Sequence, residues 1–366
     1  MSIVIECPPS VEIPPNEFLE LFDLMVEKEV SDLHLRVPSR PVVRIDGVLT
    51  TLQDRAPVSA EDTELLLKYI ATQEQFDLFN TKFELDFAYD IPELARFRVN
   101  ALKQRGTISL CFRRVPVRIP TIDELGLPRI CKELALRPRG LILITGPTGS
   151  GKSTTVAAMI NHLNENSARN VITIEDPIEY VHSNKKCLIA QRDVGHDTHS
   201  FDAALVHALR HDPDVIVVGE MRDMGTISTA VRAAETGHLV ISTLHTTDAA
   251  QTVDRIIDVF PPDQQQQIRL QLSQVLEAII SQTLLPRIGG GRVGAFEIMI
   301  ANAAVRNLIR DRKSFELPNV MQLNGNGGMQ TLDDALSALV GNSLVTREEA
   351  MMKSSHPEQF KKSLRY

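Results

Sequence analysis

The chain has 366 residues, 43% apolar and 23% charged, with a formal net charge of −8. That length suggests two domains with a buried core large enough to need neither disulfides nor a structural metal. The acidic balance argues against a dedicated nucleic-acid binder, which is usually basic.

The opening stretch MSIVIECPPSVEIPP is proline-rich, with no basic start and no apolar segment of signal-peptide length. It reads as a loose extension over 1–15. No run long and apolar enough to span a bilayer occurs, so a soluble, cytoplasmic chain is expected. Phe18, Leu21, Phe22, Met25 and Val26 recur at helical spacing over 16–29. Strand-like segments follow at 32–37 and 41–45, then a turn at Asp46-Gly47. A helix is expected over 60–79, and strands at 84–89, 95–102 and 107–113 complete an α+β unit.

VPVRIPT (115–121) carries two prolines and reads as a linker. The boundaries are therefore set at 1–115, a linker at 116–122, and a second domain at 123–366. Beyond the linker, short apolar strands at 141–145, 171–175, 214–220 and 239–245 alternate with helical patterns such as 201–210 and 226–236. That alternation predicts an α/β fold with a parallel sheet covered on both faces. A single helix is expected over 263–285, and the rest of the C-terminal third is expected to be helical. Cys7, Cys111, Cys131 and Cys187 form no CxxC pair and read as reduced thiols.

GPTGSGKS at 146–153 satisfies the P-loop pattern and lies between an apolar strand and a helix beginning near Lys152. Gly146, Pro147, Thr148, Gly149, Ser150, Gly151, Lys152, Ser153 and Thr154 are its nucleotide-binding candidates. The glycines let backbone N–H groups turn toward phosphates, and the helix N-terminus adds positive potential. Lys152 is expected to reach the β- and γ-phosphates of ATP, and the Ser153 hydroxyl to ligate Mg²⁺.

DPDVIVVGEMRD (212–223) ends its strand at Gly219-Glu220, which puts Glu220 at the carboxyl edge of the sheet as the catalytic carboxylate. Gly219 stands where an Asp is usual. Glu175 and Asp176 end the preceding strand; spacing alone allows either a water-mediated Mg²⁺ site or solvated loop charges. TGHLVISTLHTTDA (236–249) puts His238 and His245 at the two ends of another strand, where structural and functional roles both remain open.

The P-loop, ITIEDPIEY, DPDVIVVGEMRD and TGHLVISTLHT together resemble, in order and spacing, the ATPases of type IV pili and type II secretion. AAVRNLIRDRK (303–313) and GMQTLDDAL (328–336) resemble the PilT-type twitching-motility (pilus-retraction) branch, with Val305 and Asp311 as mild departures. His211 is another departure. The assembly and type II secretion branches usually carry a tetracysteine zinc module, which is missing here. The resemblance implies a PAS-like N-terminal domain followed by a RecA-like P-loop domain with a helical C-terminal region. It further implies a homohexamer that hydrolyses ATP with Mg²⁺, with Glu220 and Glu175 as the site carboxylates and His245 at the nucleotide. Arg96, Arg98, Arg105, Arg113 and Arg114 are the candidates for the γ-phosphate. The implied partners are an inner-membrane platform protein (PilC-like) and other pilus ATPases, with no nucleic acid. The implied location is the cytoplasmic face of the inner membrane at the pilus base, peripheral to the bilayer. An assembly or secretion ATPase and a nucleotide-binding regulatory scaffold are the alternatives.

Overall fold

The computed structural model describes residues 16–28, 30–45, 48–91, 95–115 and 118–363. The expected extension at 1–15 and the Asp46-Gly47 turn lie outside these residues. The chain divides into two compact units, Met1–Arg118 and Ile119–Tyr366.

The first unit runs α1 (Asn16–Glu27), β1 (Asp32–Arg36), β2 (Val42–Ile45), β3 (Val48–Thr51), α2 (Ala60–Ile70), α3 (Gln73–Lys82), β4 (Glu84–Ile91), β5 (Ala95–Gln104) and β6 (Thr107–Val115). The strands form one antiparallel sheet in the order β3-β2-β1-β6-β5-β4. Strand alternation sends Phe97, Val99 and Ala101 of β5, with Phe112 of β6, into a core shared with α1 and α2. Phe22 of α1 meets the rings of Phe97 and Phe112 at 5.1 and 5.0 Å, within the range where aromatic pairs attract. The single helix expected over 60–79 is in fact two. Thr72 adopts extended backbone and caps α3 through a reciprocal bond with Gln75, which ends one helix and starts the next.

The second unit continues with α4 (Ile130–Ala135), β7 (Gly140–Thr145), α5 (Lys152–Asn166), β8 (Asn170–Glu175), β9 (Leu188–Asp193), α6 (Phe201–Ala208), β10 (Val215–Val218), α7 (Met224–Glu235), β11 (Leu239–Leu244), α8 (Ala249–Asp258) and α9 (Gln265–Val275). Then come β12 (Leu276–Pro286), β13 (Arg292–Ile300), α10 (Ala303–Arg310), α11 (Leu317–Leu323), α12 (Leu332–Gly341), α13 (Arg347–Lys353) and α14 (Pro357–Ser363). The sheet order is β13-β12-β7-β11-β10-β8-β9. All neighbours are parallel except the β12–β13 pair. Apolar clusters cover both faces, one centred on α6 to α9 and one on α4 and α5.

The expectation of a helix over 263–285 is corrected here: the helix stops at Val275, and 276–286 is β12. Leu276, Ala278, Ile279, Ile280 and Ser281 are all buried, because β12 lies inside the sheet with both faces covered. Such a strand has no polar stripe, so its apolar run cannot be told from a buried helix by period alone. The C-terminal third is likewise not wholly helical, since β13 returns antiparallel to β12. Gly289, Gly290 and Gly291 make that return with φ of 91°, 108° and 76°, values open to glycine and strained for other residues. Helices α12 to α14 pack their own small core, Leu285, Leu336, Val345 and Phe360, against this hairpin.

Candidate active site

Parallel pairing decides where the chemistry collects. Thr145 of β7 is in register with Leu244 of β11, and Val218 of β10 with Ile174 of β8. The segments leaving these four strands therefore emerge at one carboxyl edge: the P-loop, His245, Glu220 and the Glu175-Asp176 pair. They line a cleft of about 840 Å³, large enough for a nucleotide by the usual scale of ligand sites. The loop turns through Gly146, Gly149 and Gly151 at φ of 141°, 78° and 89°. Lys152 then opens α5, whose free N–H groups face the cleft. The Lys152 Nζ donates to the Gly146 and Pro147 carbonyls at 2.8 and 3.2 Å. Burial lowers its pKa, against the pull of Glu220 and Glu179.

The Glu220 carboxylate accepts from Arg222 at 2.6 Å and faces the His245 Nε2 at 3.2 Å. Burial works to raise its pKa, but Arg222 and His245 together outweigh it and hold the carboxyl below its ordinary range. His245 also brings its Nδ1 to 3.5 Å from the Thr148 hydroxyl, on the P-loop. Gly219 has a steric reason to replace the usual Asp. A Cβ there would meet the Ile174 carbonyl at 3.1 Å and the Glu175 Cα at 3.3 Å, so a side chain at 219 would need the end of β8 to give by a few tenths of an ångström. Glu175 accepts from Thr173 at 2.6 Å and from Gln191 at 3.1 Å. Burial still leaves its carboxyl raised, while Asp176 beside it is exposed.

A model of the family described as "Type II/IV secretion system protein" matches residues 21–291. The chain belongs to this family. It is 47% identical over 344 residues to the type IV pilus retraction ATPase PilT of Pseudomonas aeruginosa, covering 94% of this chain and all of that protein. It is 47% identical to a twitching motility protein of Neisseria gonorrhoeae over 319 residues, 87% of this chain and 85% of that one. Among solved structures it matches the pilus retraction motor PilT with bound ADP at a TM-score of 0.89 and 46% identity, covering 94% and 98% of the two chains. This secretion-family chain is thus an ATPase of the PilT type, with an N-terminal domain ahead of a RecA-like domain.

Of the five candidate arginines, Arg96, Arg98 and Arg113 share one sheet surface, and Arg105 and Arg114 lie apart from it. Arg98 and Arg113 face each other across β5 and β6 on the sheet surface opposite the core, and Arg96 lies on that same surface. Arg113 donates to Asp32 at 2.8 Å, and Arg96 lies 3.4 Å from Asp90. Arg114 pairs opposite Phe97, so it belongs to the core side, and Arg105 sits on the β5–β6 turn with φ 47°. His238 is separated from His245: it immediately precedes β11, at the other edge, with its Nδ1 2.9 Å from the Ala233 carbonyl at the end of α7. His211 is exposed; its N–H donates to the Ala208 carbonyl at 2.9 Å, and its own carbonyl accepts from Asn170 at 2.7 Å.

Several cleft residues were not singled out from sequence. Arg222 lay inside the GEMRD stretch, two residues from Glu220, and alternation about the strand end could have found it. Tyr180 bonds Thr154 at 3.0 Å. His182 is only 9% exposed, its pKa pushed down to about 4 by burial and by Lys185. Neither carries a pattern visible in one sequence.

Proposed function

We propose that this chain is one subunit of a homohexameric motor that hydrolyses ATP at this cleft to retract type IV pili. The observation that carries the chemistry is the Glu220 carboxylate, kept ionised by Arg222 and His245 at the sheet edge shared with the P-loop. An ionised carboxylate can orient a water and accept its proton during attack on the γ-phosphate. Exposed ion pairs add little to stability, about 0–1 kcal/mol, and Arg222 is 69% exposed. Its contact is therefore better understood as aiming Glu220 than as holding the fold.

In the proposed cycle the nucleotide phosphates lie on the loop N–H groups. Lys152 exchanges the Gly146 and Pro147 carbonyls for phosphate oxygens. Ser153 with Glu175, Asp176 and Glu220 offers only oxygen donors, the set a hard cation such as Mg²⁺ prefers. No group of three or more His, Cys, Asp or Glu that could hold a metal unaided occurs among the described residues, which suits a cation arriving with the nucleotide. Bound there, Mg²⁺ would neutralise phosphate charge. An arginine of the open sheet face, Arg96, Arg98 or Arg113, adds positive charge at the γ-phosphate in the assembled ring. Hydrolysis is coupled to movement about the 116–122 linker and so to a platform protein (PilC-like) in the inner membrane, with the motor on its cytoplasmic face. Among the described residues no helix is long and apolar enough to cross a membrane. Glu220→Gln is expected to bind ATP with near wild-type affinity and to lose turnover by about 10²–10⁴-fold. Unchanged turnover would remove Glu220 from this role.

A further inference from the structure

The phosphate loop is held from outside by a strand of the adjoining hairpin. Thr145 and Ser281 are in register between β7 and β12, so Gln282 stands beside Gly146, where the loop begins. The Thr145 hydroxyl donates to the Ser281 hydroxyl at 2.8 Å, inside the sheet. The Gln282 side chain is 4% exposed, and both ends of its amide are used. Its Nε2 donates to the Ser150 carbonyl at 2.7 Å, and its Oε1 accepts from the Thr155 hydroxyl at 2.9 Å. The backbone of the same residue closes over Gly146, where an added Cβ would collide with the Gln282 carbonyl.

These contacts constrain the loop in a direction that matters. A trans peptide is planar, with its C=O and N–H pointing opposite ways. Drawing the Ser150 carbonyl toward Gln282 therefore turns the Gly151 N–H away from β12. Thr155, in the first turn of α5, fixes where that helix begins relative to the loop. Backbone N–H direction at a helix N-terminus is what makes it an anion site. The polarity also matters, since the Ser150 carbonyl needs a donor, which the Gln282 amide nitrogen supplies while the amide oxygen takes the Thr155 hydroxyl. A glutamate at 282 would set a carboxylate oxygen against the Ser150 carbonyl.

We infer that Gln282 is a positioning residue for the phosphate site, setting the peptide orientation with which the P-loop receives nucleotide. The inference rests on the reading of this cleft as the ATP site. It also makes the β12–β13 hairpin part of the nucleotide site, and β13 carries α12 on its far side, through the Ile298–Gln330 bridge that precedes that helix.

The test is steady-state ATP hydrolysis by the full-length chain carrying Gln282→Ala, Gln282→Glu or Thr155→Val, with circular dichroism melts alongside. Loss of the clamp is expected to raise KM on the order of tenfold or more for both Gln282 variants. The rise should be smaller for Thr155→Val, with kcat within about threefold of wild type, the mark of weakened binding. A residue that only supported folding would reduce the folded fraction, lowering apparent kcat at constant KM. Variants with wild-type KM would overturn the inference. If the Gln282 variants do not fold, Thr155→Val decides alone, and an unchanged KM there overturns it. A wild-type chain without ATPase activity would instead refute the reading of the cleft, which keeps the two failures apart.

Discussion

Glu297 shows at single-residue scale what burial does to a carboxyl outside the cleft. It lies on β13, 8% exposed, and accepts the Ala249 N–H at the start of α8 at 2.8 Å. Burial pushes its pKa up to about 7, and the neighbouring Asp248 and Asp333 add to the rise, while N–H groups of Ala249 and Leu332 pull the other way. A carboxyl raised in the folded state from its ordinary 4.5 stabilises the fold fully below that value. The contribution is lost as pH climbs through about 7, because the folded chain binds the proton more tightly than the unfolded one. The shift corresponds to roughly 3 kcal/mol. Glu297→Gln keeps an acceptor for Ala249 and cannot ionise. Unfolding free energies from urea titration of the two proteins should nearly agree at pH 5, with the variant ahead by roughly 3 kcal/mol at pH 8. A gap independent of pH would contradict this account. Residues of this kind are invisible in sequence, because what sets them apart is the environment assembled around them. Glu220, Lys152 and His245 were legible because each ends a strand or opens a helix in a recognisable motif. Gln282 was not, because its segment looked helical.

At the scale of elements, sequence reading worked where a local rule was sufficient. The P-loop helix begins at Lys152 as expected, and β7, β8, β10 and β11 fall where continuous apolar runs predicted them, while the parallel β9 was not foreseen. It failed at Thr72 and at Val275, where one apolar pattern passes through a change of structure. Thr72 could have been read as a cap from its spacing to Gln75. The end of α9 could not, because both sides of that boundary are buried. The same capping logic yields a prediction at α12, where Thr331 accepts from the Asp334 N–H at 3.2 Å and Asp334 bonds back to the Thr331 N–H at 3.3 Å. Thr331→Ala should cost about 1 kcal/mol in unfolding free energy. Denaturant titration is the check. ATP turnover should stay at the wild-type level, since the cap lies outside the cleft. A loss of turnover with stability intact would show that α12 acts on the site and does not merely pack beneath it.

For the whole molecule, a phosphate site embedded in a parallel sheet and a separate antiparallel unit joined by a short proline-bearing segment suit an enzyme whose product is movement. The two-unit layout was readable from the shift at 115–121, where mixed α+β patterning gives way to alternating strands and helices. What sequence patterns did not provide was the arrangement of the five arginines: three on an open sheet face, one on a turn and one on the core side. That distribution follows from strand register, which a single chain does not display. The direction of movement can be watched in living source cells that lack this chain, by imaging their fluorescently labelled pili. Retraction by this motor predicts cells crowded with pili that extend and do not shorten, with normal dynamics restored by the wild-type chain and not by Glu220→Gln. Bald cells would contradict the account and make the chain a motor of pilus assembly.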